Sequence, residues 1–165
     1  MTDNTIALVT GASRGIGQAI AEELAQAGYI VVGTATSQSG ADRISERLAA
    51  LDNAGGGEVL DIADGDAVNA ALKRINEQYG APLVLVNNAG ITRDNIMLRM
   101  KEDEWDSVID TNLSGVYRVC KGCLKGMTKA RQGRIINISS VVGSMGNPGQ
   151  PNYAADKAGL EGFTR

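Results

Sequence analysis

Apolar residues along the chain fall either into short continuous runs or into longer stretches with helical spacing. The runs, most of them rich in β-branched residues, predict strands at residues 5–10, 29–34, 58–61, 83–86 and 134–138. The spaced stretches predict helices at residues 18–26, 41–51, 64–79 and 105–127, the last with a break around Asp110. Tyr153 opens one more helix, so strand and helix alternate strictly along the chain.

This alternation predicts the fold class. Parallel strands need crossover connections and are covered on both faces, which agrees with strands that are apolar without interruption. We therefore expect an α/β fold, a doubly wound parallel sheet of the Rossmann-like type. Residues 55–57, all glycine, predict a local loop rather than a domain linker. A length of 165 residues, 43% of them apolar, predicts a single domain over residues 1–165.

The charge of the chain excludes two classes of partner. A formal net charge of −3 and a pI near 5.0 leave no general cationic surface, which nucleic acid and anionic membranes would both require. Residues 1–5 contain no basic segment before a long apolar stretch, and no apolar run approaches the ~20 residues that span a bilayer. We expect a cytoplasmic protein with neither partner.

The chain contains no histidine, which restricts the chemistry it can perform. The usual general base, the usual zinc ligand and any Ser-His-Asp triad are missing, so we expect no metal site and proton transfer by another group. Cys120 and Cys123 have the C-x-x-C spacing of a redox or metal pair. Because they lie inside a predicted helix, we favour buried structural cysteines.

A glycine-rich turn follows the first predicted strand. Residues 10–17 read TGASRGIG, in which Gly11, Gly15 and Gly17 form a G-x-x-x-G-x-G pattern at the start of a helix. Glycines there let backbone N–H groups approach a pyrophosphate, and the helix N-terminus adds partial positive charge. We therefore predict a dinucleotide site that includes Ser13 and Ile16 from the same turn, whereas the alternative is a plain turn.

The end of the second strand indicates which dinucleotide binds. NAD-preferring sites usually carry a carboxylate there, but residues 33–38 read GTATSQ. The missing acid removes repulsion toward a 2′-phosphate, while Arg14 offers a cation and Thr36 a hydroxyl donor. The sequence thus favours NADP(H); the alternative is that Arg14 only faces solvent.

Tyr153 and Lys157 lie four residues apart and share one face of the last predicted helix. A carbonyl that receives hydride needs a proton on its oxygen, and a phenol donates that proton more readily beside an ammonium. Tyr-x-x-x-Lys alone also occurs on ordinary helix surfaces.

The order of these motifs resembles the short-chain dehydrogenase/reductase family. The match runs from the three glycines through Asn87-Asn88-Ala89-Gly90 to Asn112, Ser140, Tyr153 and Lys157. The resemblance implies that Tyr153 is the general acid/base and that Ser140 polarises the substrate carbonyl. It further implies that Lys157 binds the nicotinamide ribose and lowers the Tyr153 pKa, and that Asn112 holds a relay water.

The same resemblance implies further cofactor contacts. Asn88, Ala89 and Gly90 would line the cofactor, and Asp61 with Ile62 would contact the adenine. Other interpretations stay open, because asparagines often form turns and Asn112 could be a helix kink or cap. Ser140 could be one of several loop hydroxyls beside Ser139.

Within the family, the chain is most similar to bacterial members that reduce 3-oxoacyl thioesters on acyl carrier protein. The similarity lies in residues 33–37, 88–95, 100–105 and 133–153. It implies a homotetramer that uses NADPH and forms the (R)-3-hydroxyacyl thioester in fatty acid biosynthesis. Alternatives are an acyl-CoA ketone or another carbonyl as substrate, or a non-catalytic nucleotide-binding fragment.

Four cations could receive the acidic carrier protein: Lys125, Lys129, Arg131 and Arg134. Equally, cations near a helix C-terminus complement the helix dipole.

Two features depart from the family pattern. Family members usually run to ~240–250 residues, a length expected of a full doubly wound enzyme domain, so the sixth and seventh strands would follow Arg165. Asp156 stands where relatives commonly have a small apolar residue. Its carboxylate is next to Lys157 in sequence, although adjacent helix positions point apart.

Overall fold

The computed structural model describes residues 4–165, so the first three of the residues used to judge a targeting segment lie outside it. Five parallel strands form one sheet in the order β3-β2-β1-β4-β5. The strands are β1 (Ile6–Val9), β2 (Ile30–Ala35), β3 (Gly56–Val59), β4 (Val84–Asn87) and β5 (Arg134–Asn137). This topology confirms the predicted doubly wound parallel sheet.

Helices connect the strands and continue beyond β5. They are α1 (Gly15–Gln26), α2 (Gln38–Ala50), α3 (Gly65–Gln78), α4 (Glu102–Ile109), α5 (Gly115–Ala130), α6 (Val142–Met145) and α7 (Pro151–Thr164). A π-helical segment (Asp110–Ser114) joins α4 to α5, which confirms the predicted break. The sequence pattern did not predict α6, because four residues are too few to show a helical period.

Apolar side chains cover both faces of the sheet. Leu8 packs in a cluster with residues of α3 and α5, whereas its neighbours Ala7 and Val9 pack with α1 and α2. Successive side chains of a strand point to opposite faces, so a strand covered on both sides must be apolar throughout. Full burial of a side chain such as Leu8 stabilises the fold by about 1.5–3 kcal/mol.

The third strand differs from the prediction. Residues 58–61 were the predicted strand and residues 55–57 a loop, but β3 includes Gly56 and Gly57 and ends at Val59. A Cβ at Gly57 would lie 2.0 Å from the Ala41 carbonyl oxygen of α2. Glycine here allows a helix to lie directly on the strand, whereas the sequence pattern reads glycine as a turn signal.

The two cysteines lie on the buried side of α5. Cys120 and Cys123 are free thiols, which agrees with the structural interpretation. Burial raises the pKa of the Cys123 thiol to about 12. Residues 4–165 contain no metal-binding group of histidine, cysteine or carboxylate side chains. None of the described helices combines the length and the apolar character needed to cross a membrane.

The strand order creates a crevice at the carboxyl ends of β1 and β4. The chain leaves β1 toward β2 on one side, while β4 lies on the other side of β1. The loops that follow these two neighbouring strands therefore diverge, and ligands of open α/β sheets bind in such a gap.

Candidate active site

The glycine-rich turn brings backbone close to backbone at the crevice. Gly11 and Gly15 have φ of +65° and +57°, a left-handed conformation that side chains disfavour. At Gly17 a Cβ would lie 2.2 Å from the Gly11 carbonyl oxygen and 2.4 Å from Asn88 Nδ2. Helix α1 therefore begins close against both loops, with its first N–H groups free of intrahelical partners.

A buried threonine joins the loops after β1 and β4. The Thr10 hydroxyl oxygen accepts hydrogen bonds from the backbone N–H groups of Asn88 and Ala89, both at 3.0 Å. Asn88 Nδ2 donates in return to the carbonyls of Thr10 at 3.1 Å and Gly11 at 3.0 Å. Thr10 was not among the predicted site residues, although its hydroxyl at the end of a buried strand was a signal in the sequence.

The first part of the groove is a cavity of about 460 Å³ beside the glycine-rich turn. Eleven of the predicted cofactor residues line it: Gly11, Ser13, Arg14, Gly15, Ile16, Thr36, Asp61, Ile62, Asn88, Ala89 and Gly90. Gly17 lies behind this surface, in the contact between α1 and the loops. Sequence reasoning did not find four lining residues, which are Ala35, Leu60, Ile91 and Thr111.

The second part is a cavity of about 530 Å³ that contains Ser140, Tyr153 and Lys157. It shares lining residues with the first part, namely Arg14, Ile16, Asn88, Gly90 and Ile91. The two cavities are therefore parts of one groove. The predicted catalytic hydroxyls and ammonium lie at one end, and the predicted adenine contacts lie at the other.

Helix α7 presents Tyr153 and Lys157 to the groove. It begins at Pro151 rather than at the predicted Tyr153, because proline suits the first position of a helix. Lys157 Nζ lies 5.4 Å from the centre of the Tyr153 ring and donates to the Ile138 carbonyl at 3.1 Å. Burial lowers the pKa of the Lys157 ammonium, and the Asp156 carboxylate raises it.

A second pair with the same spacing lies outside the groove. Lys121 Nζ is 5.6 Å from the centre of the Tyr117 ring on α5, but Tyr117 is 48% exposed. Lys157, by contrast, is only 6% exposed. Burial and the neighbouring groove, not the spacing, distinguish the predicted pair.

The two neighbouring serines point their hydroxyls differently. The Ser139 hydroxyl lies within hydrogen-bond distance of the Lys157 carbonyl at 3.4 Å and a Glu161 carboxylate oxygen at 3.3 Å, both acceptors on α7. The Ser140 hydroxyl accepts from the Val142 N–H at 3.2 Å, so its own hydrogen stays available. Ser140 is therefore the better donor toward a ligand in the groove.

Asn112 lies in the π-helical segment and is 1% exposed, so it does not line the groove. Its Oδ1 accepts from the Ile91 N–H at 2.8 Å, and its Nδ2 donates to the Ile91 carbonyl at 2.9 Å. Nδ2 also donates to Asp156 Oδ2 at 2.8 Å. The side chain thus joins the loop after β4 to α7.

Asp156 and Lys157 meet although they are adjacent on the helix. Asp156 is fully buried, and its Oδ1 lies 4.0 Å from Lys157 Nζ. Burial raises the pKa of the Asp156 carboxyl to about 6, while the Asn112 hydrogen bond and Lys157 oppose the shift. Adjacent helix positions point apart, but the long Lys157 side chain still brings its ammonium near the buried Asp156 carboxylate.

Arg47 is a further cation near the glycine-rich turn that the sequence did not reveal. It lies on α2, and its guanidinium donates to the Ser13 carbonyl at 2.9 Å. A separation of 34 residues leaves no local pattern by which to predict this contact.

The chain matches one protein family and is similar to several known proteins. Residues 5–165 match the model of the short chain dehydrogenase family. The 3-oxoacyl-[acyl-carrier-protein] reductase FabG of Pseudomonas aeruginosa is 63% identical over 160 residues, which cover 97% of this chain and 65% of the relative. FabG of Vibrio harveyi is 58% identical and FabG of Escherichia coli 55%, each over 163 residues, 99% of this chain and 66% of the relative. The chain thus spans just under two thirds of the length of these relatives.

Replacing Thr10 tests the contact that joins the two loops. Thr10→Val keeps the shape of the side chain but leaves the Asn88 and Ala89 amides without an acceptor. We therefore expect the free energy of unfolding to fall by about 2–4 kcal/mol. Urea unfolding measures this loss, and hydrogen exchange should become faster at both amides. Thr10→Ser keeps the hydroxyl and should lose less than about 1 kcal/mol. Equal losses in the two variants would contradict the assigned role of the hydroxyl.

Proposed function

The chain belongs to the short chain dehydrogenase family, and on that basis we propose that it is an NADPH-dependent oxidoreductase. The proposed reaction is the reduction of 3-oxoacyl-[acyl-carrier-protein] to the (R)-3-hydroxyacyl product in fatty acid biosynthesis. The observation that carries this proposal is the single groove that joins the glycine-rich turn to Ser140, Tyr153 and Lys157. The names of the relatives support the choice of substrate.

The groove fits a dinucleotide. Its two cavities of about 460 and 530 Å³ follow one another along the switch point of the sheet. Residues at the start of α1 line the first cavity, where their backbone N–H groups can bind a pyrophosphate, because Gly11 and Gly15 add no side chain there. When bound, the nicotinamide supplies the hydride for the reduction.

The preference for a 2′-phosphate is part of the proposal. Arg14 and Thr36 line the first cavity where β2 ends, and residues 36–38 contain no carboxylate. A guanidinium and a hydroxyl can both donate to phosphate oxygens, whereas a carboxylate there would repel them. Asp61 and Ile62 remain as the predicted adenine contacts.

Tyr153, Lys157 and Ser140 would then perform the proton chemistry. The Tyr153 hydroxyl makes no hydrogen bond within residues 4–165, so it is free to donate its proton to a carbonyl oxygen. Ser140 can donate its unused hydrogen to the same oxygen and polarise the carbonyl. The Lys157 ammonium lies beside the Tyr153 ring, where it stabilises the negative charge that forms as the proton leaves.

In the proposed proton relay, Asn112 would bind the water through its main chain rather than through its side-chain amide. Both hydrogens of its amide are already donated, to Ile91 and to Asp156. A relay water would therefore bind the main-chain carbonyl, in the π-helical segment where the regular helix ladder is interrupted.

An acidic carrier protein would dock on the exposed cations at the end of α5. Lys125, Lys129, Arg131 and Arg134 are all exposed, and Arg131 ends the helix in a left-handed conformation with φ of 51°. Beside them lies a shallow depression of about 620 Å³ that includes Leu124 and Met127. Opposite charge steers such an encounter. We also propose the homotetramer, the cytoplasmic location and the single domain expected from the sequence.

Substitution of Tyr153 tests the proposed chemistry. Tyr153→Phe removes the proton donor and should lower kcat for acetoacetyl thioester reduction at least about 100-fold, with NADPH affinity changed less than about threefold. Lys157→Ala should lower both kcat and the affinity for NADPH. Turnover followed at 340 nm and NADPH titration by fluorescence measure the two effects. Tyr117→Phe is the matched control, because Tyr117 has the same lysine spacing but is exposed, and it should change neither. Retained turnover in Tyr153→Phe would refute the assignment.

Substitution of Arg14 tests the cofactor preference. Arg14→Ala removes a charged donor to the 2′-phosphate and should weaken NADPH binding about tenfold while NADH binding changes less than about threefold. Fluorescence titration with both cofactors measures the ratio. Arg43→Ala, an exposed cation on α2, should leave that ratio unchanged. If Arg14→Ala weakens both cofactors equally, Arg14 does not select the phosphate.

Charge reversal at Arg131 tests the carrier surface. Arg131→Glu should lower kcat/KM for a carrier-linked substrate about tenfold, because like charges hinder the encounter, and leave a small thioester analogue unaffected. Lys73→Glu on the exposed face of α3 makes the same charge change elsewhere and should alter neither rate. A fall of equal size for both substrates would exclude docking at Arg131.

A further inference from the structure

Asp156 is a buried carboxylate beside the proposed proton donor. It is fully buried, a state that carboxylates adopt rarely and only with compensating partners. Oδ2 accepts the hydrogen bond from Asn112 Nδ2 at 2.8 Å. Oδ1 has no hydrogen-bond partner, and Lys157 Nζ lies 4.0 Å from it. Burying a carboxylate with one unpaired oxygen costs free energy, and a role in the site would explain why this residue is present.

We propose that Asp156 is a positioning residue of the active site, which fixes the Asn112 amide with one oxygen and serves as the buried counter-ion of Lys157 with the other. This proposal rests on the proposed reductase function. It gives a role in the site to a residue that is not among the predicted catalytic residues.

The hydrogen bonds of Asn112 support a positioning role for Asp156. Its amide clamps both the N–H and the carbonyl of Ile91, a residue that lines both parts of the groove. The second hydrogen on Nδ2 still needs an acceptor in this buried place, and Asp156 supplies it. A Cβ at Gly90 would lie 3.3 Å from Asn112 Oδ1, so the amide also packs against the loop. Asp156 thereby links the cofactor loop to α7.

The charges around Asp156 support its role as the counter-ion of Lys157. Burial would favour a neutral Lys157, since it lowers the pKa of that ammonium, and the Asp156 carboxylate counteracts this. The Lys157 ammonium in turn opposes the rise that burial causes in the pKa of the Asp156 carboxyl. A charged Asp156 therefore helps to keep Lys157 protonated.

The charged groups on the neighbouring elements are engaged elsewhere. On α4, Glu104 accepts from the Lys101 N–H at 2.8 Å and caps its own helix. In the π-helical segment, Asp110 pairs with Arg118 at 2.7 Å. The four residues of α6 carry no charge. Glu161 on α7 lies within hydrogen-bond distance of the Ser139 hydroxyl.

The first experiment needs no activity and uses thermal unfolding of the cofactor-free chain. Because burial raises the Asp156 pKa to about 6, the wild type loses stability as pH rises through about 6, and Asp156→Asn does not. The Tm of Asp156→Asn relative to wild type should therefore rise by about 5 °C between pH 5 and pH 8. Asp106→Asn, an exposed carboxylate on α4, should show no such change. In a Lys157→Met background the carboxylate has no counter-ion, so the same rise in Tm caused by Asp156→Asn should be larger than about 5 °C. A rise no larger than in the wild-type background would overturn the buried counter-ion.

Hydrogen exchange tests the positioning of Asn112. Asp156→Ala removes the acceptor and should accelerate exchange of the Ile91 amide about tenfold, whereas Asp156→Asn keeps an acceptor and should stay within about twofold of wild type. Unchanged exchange in Asp156→Ala would remove the positioning role. Should Asp156→Ala not fold, the same comparison with Asp156→Val, which also lacks an acceptor, decides it.

The pH profile of the reaction provides the third measurement. Loss of the carboxylate lowers the Lys157 pKa, so the alkaline limb of kcat should move to lower pH by about one unit in Asp156→Asn. An unmoved limb would contradict the counter-ion role. If the wild type itself shows no reductase activity, the proposed function fails, while unfolding and exchange still decide the role of Asp156.

Discussion

The hydroxyl of Thr10 holds together the two loops on which the groove depends. Parallel strands end at one edge of the sheet, and their loops would separate at the switch point without a contact across it. Thr10 receives both amides of the opposite loop, and Asn88 returns two hydrogen bonds. Because Thr10 is buried and its partners are partly buried, a lost partner leaves a polar group that water reaches poorly. A polar contact therefore defines the shape of a site between two apolar clusters.

Sequence pattern predicted the layers of the fold because strands buried on both faces must be apolar throughout. It failed where one residue type has two uses: the glycines of β3 permit close approach of α2 but read as a turn. Within the site, local motifs placed the lining residues in one groove. Contacts between distant segments, such as Arg47 with Ser13 or Asn112 with Asp156, have no local signature and needed the structure.

The two Tyr-x-x-x-Lys pairs differ in their surroundings, and this difference separates the proposed catalytic pair from the exposed one. Both place the ammonium between 5 and 6 Å from the ring centre, at 5.4 Å and 5.6 Å. Lys121 is exposed to solvent, whereas Lys157 is buried beside a carboxylate and a main-chain carbonyl. Electrostatic effects are stronger where water is excluded, so only the buried pair can influence proton transfer strongly.

The π-helical segment limits which insertions and deletions can occur before α5. A π-helical turn contains one residue more than an α-helical turn, and each residue rotates a helix by about 100°. Deleting one residue from Asp110–Ser114 would restore regular winding but turn the following side chains by that angle, so the apolar stripe of α5 would leave the core. Insertions and deletions here are therefore coupled to the whole hydrophobic pattern of α5, which makes the length of this segment harder to change than that of a surface loop.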